Sequence, residues 1–358
     1  MTAPNSADPE DRAALVRLLM GGMAASTVGA AARLGVADAL GGAELDAAAV
    51  AERIGAPERT TARLLRALAA LGVLHERGPD RYALTSAGHL LRSDHEDSVR
   101  SLAHLYTDGL LLDSWQRLAD AVRKADVAFE TLHGTPFFRH LQNRPELSAM
   151  FNAAMADATR ATARVLPDSY DFAPFTTVVD VGGGDGTLLG AVLARHPHLR
   201  GVLFDTADGL ARAGEVLERT GTADRCTRVS GDFFARVPAG GDLYLLKSIV
   251  HDWDDERAAV ILTRCREAAS PGARLLLIEP LLPDTVAGAP SPAPFLSDLN
   301  MMLNPGGRER TRADIDALCA GAGFTVTGVR TLPPPSGQGL VEAVATGPDR
   351  PTGASGTP

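Results

Sequence analysis

The run Val178-Val179-Asp180-Val181-Gly182-Gly183-Gly184-Asp185-Gly186-Thr187 is an apolar β-type stretch ending in glycines and acids. An amphipathic stretch, Leu188 to His196, follows, so the segment reads as strand, tight loop and helix. Glycine tolerates positive φ and presents no side chain, so such a loop lets backbone approach a ligand closely. The spacing is not G-x-G-x-x-G: Thr187 stands where the third glycine would fall counting from Gly182, and Leu189 counting from Gly184. Asp180 and Asp185 would repel a pyrophosphate but suit a cation. S-adenosylmethionine (SAM) carries a sulfonium and an ammonium and no phosphate, so its charge matches this loop.

Two more strand tips carry matching chemistry. Gly201-Val202-Leu203-Phe204-Asp205 ends one β-α-β step later in an acid that can accept bonds from both hydroxyls of a ribose. Gly231-Asp232-Phe233-Phe234 sets a carboxylate beside aromatic rings, which suits the amino group and face of an adenine. Any one tip is equally explained by a helix N-cap or a turn. All three in this order favour the cofactor. A fourth tip, Leu246-Lys247-Ser248-Ile249-Val250-His251-Asp252-Trp253-Asp254-Asp255, puts His251 at the same rim. Histidine titrates near neutrality and can take a proton from a hydroxyl, while methyl transfer needs the acceptor oxygen held in line. Asp252, Asp254 and Asp255 are expected to cap the next helix; nothing further in the sequence supports them as metal ligands. Two acids suit a base-orienting role. Glu279 ends the strand Leu275-Leu276-Leu277-Ile278-Glu279-Pro280, and Glu309 lies in Asn304-Pro305-Gly306-Gly307-Arg308-Glu309-Arg310-Thr311. For Glu309, between two arginines, a plain surface acid is an equal alternative.

The elements that must position these residues follow from pattern. The 358-residue chain is long enough for two domains, with 45% hydrophobic and 22% charged residues as in an ordinary globule. A net charge of −9 disfavours broad phosphate binding. Cys226, Cys265 and Cys319 are scattered without metal spacing, which fits a reducing cytoplasm. No apolar run is expected to approach the roughly 18 residues of a membrane span, and the start lacks a signal-peptide pattern. Residues 1–10 and 346–358 read as frayed tails. Residues 12–42 read as helices broken near Gly21-Gly22 and Gly35. Residues 45–92 read as a winged helix: helices 45–54 and 58–71, a hairpin 74–84 turning at Gly78-Pro79-Asp80, and a helix capped at Thr85-Ser86. The wing's Glu76 and Asp80 offset Arg77 and Arg81, so docking and dimer formation suit it better than DNA. Residues 99–166 are mostly helical, and 167–174 reads as a linker. Beyond, strands at 177–181, 201–205, 226–230, 242–248 and 273–279 alternate with helices at 186–195, 208–220 and 254–269. Helices near 295–304 and 311–321 and an antiparallel strand pair, 324–332 and 340–346, close the chain. The expected fold is α/β: a doubly wound, mostly parallel Rossmann-like sheet at 171–346, an N-terminal all-α/winged-helix domain at 1–98, a connector at 99–170 and a tail at 347–358.

Taken together, the glycine loop at 180–186, His251-Asp252-Trp253 and Gly306-Gly307-Arg308-Glu309-Arg310-Thr311 resemble the SAM-dependent O-methyltransferases of the plant caffeate/hydroxyindole type and their bacterial natural-product relatives. The resemblance covers nearly the whole chain. It implies metal-free methylation of a hydroxyl on a small aromatic molecule by an intertwined homodimer, with S-adenosylhomocysteine as co-product. It implies that His251 is the general base flanked by Glu279 and Glu309. It places Asp180, Gly182, Gly184, Asp205, Asp232, Phe233, Lys247 and Ser248 at the cofactor. It places Phe151, Asn152, Met155, Asp252, Asp298, Asn300, Met301 and Met302 along the substrate, although the Met and Phe positions equally suit a plain core. Neither nucleic acid nor membrane is expected as a partner. Relatives of the same fold are thought to methylate carbon or nitrogen, or to hydroxylate, decarboxylate or cyclise. A SAM-sensing winged-helix regulator is a more distant alternative. Retention of His251, Glu279 and Glu309 favours oxygen methylation.

Overall fold

A computed structural model describes residues 9–289 and 291–346. The expected tails at 1–10 and 346–358 lie mostly outside these residues. The chain divides into two compact units at Leu112/Asp113, a boundary that falls inside the stretch read as the connector.

The first unit opens with α1 (Pro9–Leu19), α2 (Gly21–Leu34) and α3 (Val36–Leu40). The helices break at Met20, beside the expected Gly21-Gly22, which form the first turn of α2; the interruption is a single residue. The stretch Pro9–Leu34 is thus long and apolar enough, by length and composition alone, to cross a membrane, which corrects the expectation that no such run exists. The winged-helix pattern is observed: α4 (Ala47–Ile54), α5 (Glu58–Ala70), β1 (Leu74–Gly78), β2 (Arg81–Leu84) and α6 (Ser86–His89). Asp46 and Thr85 cap α4 and α6 by accepting from Ala49 N and Gly88 N. Val50, Leu65, Leu68, Leu74 and Tyr82 close its core. α7 (Arg100–Tyr106) and α8 (Gly109–Trp115) lead out.

In the second unit α9 (Leu118–Lys124), α10 (Ala128–His133), α11 (Phe137–Gln142) and α12 (Pro145–Ser169) precede the sheet. The expected linker at 167–174 is corrected in its first half, because α12 continues through Pro167 to Ser169. Proline removes one N–H donor, and near the end of a long helix with Leu166 and Pro167 buried that loss is tolerated. The alternating region follows as β3 (Thr177–Val181), α13 (Thr187–Arg195), β4 (Arg200–Asp205), α14 (Ala213–Arg219), β5 (Cys226–Ser230), β6 (Leu243–Lys247), α15 (Asp255–Ala268) and β7 (Arg274–Glu279). Then come β8 (Leu281–Leu282), α16 (Ala293–Leu303), β9 (Arg310–Thr311), α17 (Arg312–Gly321), β10 (Phe324–Thr331) and β11 (Gly339–Ala345). The seven-stranded sheet runs β10-β11-β7-β6-β3-β4-β5. Pairs among β3 to β7 are parallel, while β11 joins β7 and β10 antiparallel.

Strands covered on both faces must be apolar throughout, and Leu243–Leu246 and Leu275–Ile278 are. Successive side chains divide between two cores. Val179, Tyr244, Leu246, Leu275 and Leu277 join α15 and α17 residues; Val178, Leu243, Leu245, Leu276 and Ile278 join α12 and α13 residues. The strand order reverses between β3 and β6, opening a crevice at their carboxyl ends.

Candidate active site

The loop after β3 turns on Gly182, Gly184 and Gly186, all at positive φ (72°, 57° and 78°). A Cβ on Gly182 would overlap the side chain of Ile249, so this glycine also lets the β6 tip pack against the loop. Gly182 N donates to Phe204 O at 2.8 Å, and Asp205 Oδ2 accepts from Gly184 N at 2.8 Å, tying the first two tips together. Asp205 also accepts from Thr206 N at 2.6 Å. Burial raises its pKa, and these bonds oppose the rise. Asp180 is buried and its Oδ2 has no hydrogen-bond partner. Burial, then Asp205, push it up to about 7, with Lys247 opposing. Lys247 itself is lowered to about 8 by burial, against the pull of Glu279, Asp252 and Asp180. Asp232 is exposed and accepts from Phe234 N at 2.8 Å. Phe233 meets Phe234 and Trp253 edge-on at 4.9 and 6.2 Å. Ser248 sits at φ 53°, a strained value for a non-glycine, held by Ser248 N to Ile278 O and by Gln338 Nε2 on its Oγ at 3.2 Å. Thr162 anchors that glutamine, donating to its Oε1 at 2.6 Å.

His251 stands on a short turn, Val250–Asp252, directly after β6. Its Nδ1 lies 2.9 Å from Glu309 Oε1, and its Nε2 lies 3.7 Å from Asp252 Oδ1. With Glu309 accepting from Nδ1–H, the lone pair of the neutral ring lies on Nε2. Glu279 holds the loop rather than the ring: its Oε1 accepts from Ile249 N (3.1 Å) and Val250 N (2.8 Å), and its Oε2 is 3.8 Å from Nδ1. Burial disfavours the charged ring, but Glu279, Asp252 and Glu309 outweigh it and raise His251 to about 10. Asp252 is raised to about 7 by burial, with His251 opposing. Its expected role as a helix cap is corrected. Asp254 caps α15, accepting from Arg257 N at 2.8 Å, and Asp255 pairs with Arg308 and Arg310.

The second half of the site is built by 297–310. Glu309 and Arg310 are both almost fully buried, which excludes the surface-acid reading of Glu309. Glu309 Oε1 also accepts from Ser297 Oγ at 2.6 Å, and Glu309 N donates to Asp298 Oδ1 at 2.9 Å. Arg310 donates to Val250 O and Trp253 O, each at 2.8 Å, and to Asp255. Arg308 N donates to His251 O at 2.9 Å. Sequence reading missed Ser297, Arg310, Gln338 and Thr162, since no local pattern marks a residue whose partner lies far along the chain. Adjacency to Glu309 was the one available signal for Arg310.

The residues expected along the substrate separate. Phe151 packs on Phe137 and Phe138, and Phe138 reaches Trp253 at 5.1 Å, joining α12 to the His-Asp-Trp turn. Asn152 instead donates to Asp208 O at 3.3 Å and lines a cleft of about 250 Å³ with Asp185, Asp208 and Arg212. Met155 is half-buried on the same helix. Asn300 Oδ1 accepts from Trp115 Nε1 (3.1 Å) and Asn304 Nδ2 (3.0 Å). Met302 packs against the Ala121, Ala128 and Leu303 cluster, and Met301 is half-buried. Among the described residues no cluster of three His, Cys, Asp or Glu side chains could hold a metal ion.

An O-methyltransferase domain matches residues 115–325, and an O-methyltransferase dimerisation domain matches residues 16–94. The chain belongs to the O-methyltransferase family. It is 43% identical over 346 residues to an O-demethylpuromycin-O-methyltransferase of Streptomyces alboniger, covering 94% of this chain and 92% of that one. Human N-acetylserotonin methyltransferase, solved with SAM, superposes with a TM-score of 0.85 at 26% identity, over 96% of this chain and all of the other (100%). The O-methyltransferase NcsB1 from neocarzinostatin biosynthesis, solved with S-adenosylhomocysteine and 1,4-dihydroxy-2-naphthoic acid, gives 0.73 at 35% identity, over 90% and 95% of the two chains. The recognised family and the α/β fold with an N-terminal dimerisation domain therefore stand. This enzyme is a SAM-dependent O-methyltransferase. Its residues suit that cofactor: the orphaned oxygen of buried Asp180 lies against the glycine loop, where a hydrogen-bond donor or a cation would satisfy it and an anion would not.

Proposed function

We propose that this enzyme methylates a phenolic hydroxyl of a small aromatic natural-product intermediate, with His251 as general base. The observation that carries the reading is the 2.9 Å contact of His251 Nδ1 with Glu309, which leaves Nε2 as the acceptor at the carboxyl edge of the sheet. Bound SAM would supply an electrophilic methyl group on a positively charged sulfur. Asp180, Gly182, Gly184, Asp205, Asp232, Phe233, Lys247 and Ser248 are the residues we assign to holding it. Nε2 takes the phenol's proton as the oxygen becomes the nucleophile. The resulting imidazolium is stabilised by Glu309 and Asp252, and later gives its proton to solvent. Glu279 and Arg310 keep the turn in place through its backbone. Phe151, Met155, Asp298, Asn300, Met301 and Met302 are assigned to one wall of the acceptor site. Asn152 belongs more naturally with the Asp208 loop. Support for an aromatic acceptor comes from the relatives, which act on puromycin and naphthoate frameworks by name.

The same reading makes the protein a homodimer. Leu15, Leu18, Leu19, Met20 and Met23 are exposed on the first unit, within or next to the matched dimerisation domain. An apolar face of this kind calls for burial against a second copy. Three free cysteines, two of them buried, support a reducing compartment such as the cytoplasm.

The test uses methyl-deuterated SAM and a panel of phenols, including O-demethylpuromycin and 1,4-dihydroxy-2-naphthoic acid, followed by mass spectrometry. With a converted acceptor in hand, His251→Ala should keep SAM affinity by calorimetry and lose turnover by about 10²–10⁴. Wild-type turnover in that variant would remove the histidine from the mechanism.

A further inference from the structure

Glu309 is gripped twice by consecutive residues of α16. Ser297 Oγ donates to its Oε1 at 2.6 Å, and Asp298 Oδ1 accepts from its backbone N–H at 2.9 Å. The choice of oxygen is informative. Oε2 of Glu309 is buried and has no hydrogen-bond partner, so a hydroxyl present only to satisfy the carboxylate would go there. Ser297 goes instead to Oε1, the atom that already holds His251 Nδ1. Helical serines commonly bond back onto their own helix; this one is turned across to another segment.

We propose that Ser297 sets the strength of the His251 base by sharing the Glu309 oxygen that orients the ring. Ser297 is then a positioning residue for methyl transfer, an inference that rests on His251 being the base. The charges facing the ring explain the need. Glu279 approaches from β7, Glu309 from the segment before β9, and Asp252 from the ring's own turn. Asp298 stands behind Glu309, and the nearby cations are Lys247 on β6 and Arg310, which is spent on the Val250 and Trp253 carbonyls. Acids outnumber free cations, so the imidazolium is over-stabilised and the ring is held well above neutrality. A hydroxyl donating to Oε1 draws charge away from the atom that binds Nδ1–H. That weakens the hold on the charged ring and brings the base back toward working pH, where general-base catalysis is most effective.

The test needs no acceptor substrate. The enzyme is labelled with ¹⁵N-histidine and titrated by two-bond ¹H–¹⁵N spectroscopy, with the His251 signal assigned by its loss in His251→Asn. Ser297→Ala should raise the His251 midpoint by about half a pH unit to one unit. Ser297→Thr, which keeps the hydroxyl, should restore the wild-type midpoint. If Ser297→Ala does not fold, Ser297→Cys, a weaker donor, should raise the midpoint in the same direction. An unmoved midpoint in Ser297→Ala, or an equal shift in Ser297→Thr, overturns the proposal. Failure of the base reading is seen separately, as turnover that survives in His251→Ala.

Discussion

At the scale of single residues, the site is a contest between burial and charge around one imidazole. Burial alone would hold His251 neutral; Glu279, Asp252 and Glu309 reverse the sign and raise it to about 10. The consequence for activity runs one way. A ring with a raised pKa is protonated at neutral pH and cannot accept the phenol's proton. Its neutral fraction grows about tenfold for each pH unit up to the pKa. Initial rates at saturating SAM should therefore climb with pH through and beyond neutrality. The sulfonium, being positive, opposes the carboxylates and pulls the limb partway down again. A profile already flat from about pH 6.5, the ordinary histidine value, would contradict this electrostatic account.

At the scale of elements, the decisive unit is the turn Val250–Asp252 and the segment 307–310 that clamps it. Arg308 N takes His251 O, Arg310 takes Val250 O and Trp253 O, and Gly307 lies flat against the turn. A Cβ on Gly307 would overlap His251 O and Asp252 C and sit 2.5 Å from Trp253 N. These are backbone atoms that cannot rotate aside. Gly307→Ala should cost about 1–3 kcal/mol in denaturant unfolding and lower turnover further by shifting His251. Asp254→Ala makes the contrast. It removes the α15 cap at a cost of about 1 kcal/mol while leaving turnover at wild-type level, because the cap lies outside the clamp. Equal losses of activity in the two variants would argue against a dedicated clamp.

At the scale of the whole molecule, the first unit presents more apolar surface than one copy buries. Leu18 and Leu19 are 77% and 74% exposed, and Met23 is 70% exposed. Covering such a face removes apolar area from water at roughly 25 cal/mol per Å². Sedimentation should find a dimer, and Leu18→Glu combined with Leu19→Glu should yield monomers. A dimer that withstands both substitutions would place the interface elsewhere.

Strand and helix identities in the sheet domain were legible along the chain, because periodicity is local and the parallel strands are apolar on both faces. The wing hairpin was legible for the same reason, and so were the strand-tip acids, since the carboxyl edge of such a sheet is a fixed place for ligands. The linker start at Pro167 was set too early because helix continuity there depends on neighbouring residues more than on the proline itself. Sequence alone could nominate Glu279 and Glu309 together beside His251. Only the tertiary structure gave Glu309 the ring and Glu279 the backbone, narrowed the helix cap from Asp252, Asp254 and Asp255 to Asp254, and brought Ser297 and Arg310 into the site. The physical reason is directional. A hydrogen bond is decided within a few tenths of an ångström between atoms whose residues stand far apart in the chain, and composition and spacing carry no such distances.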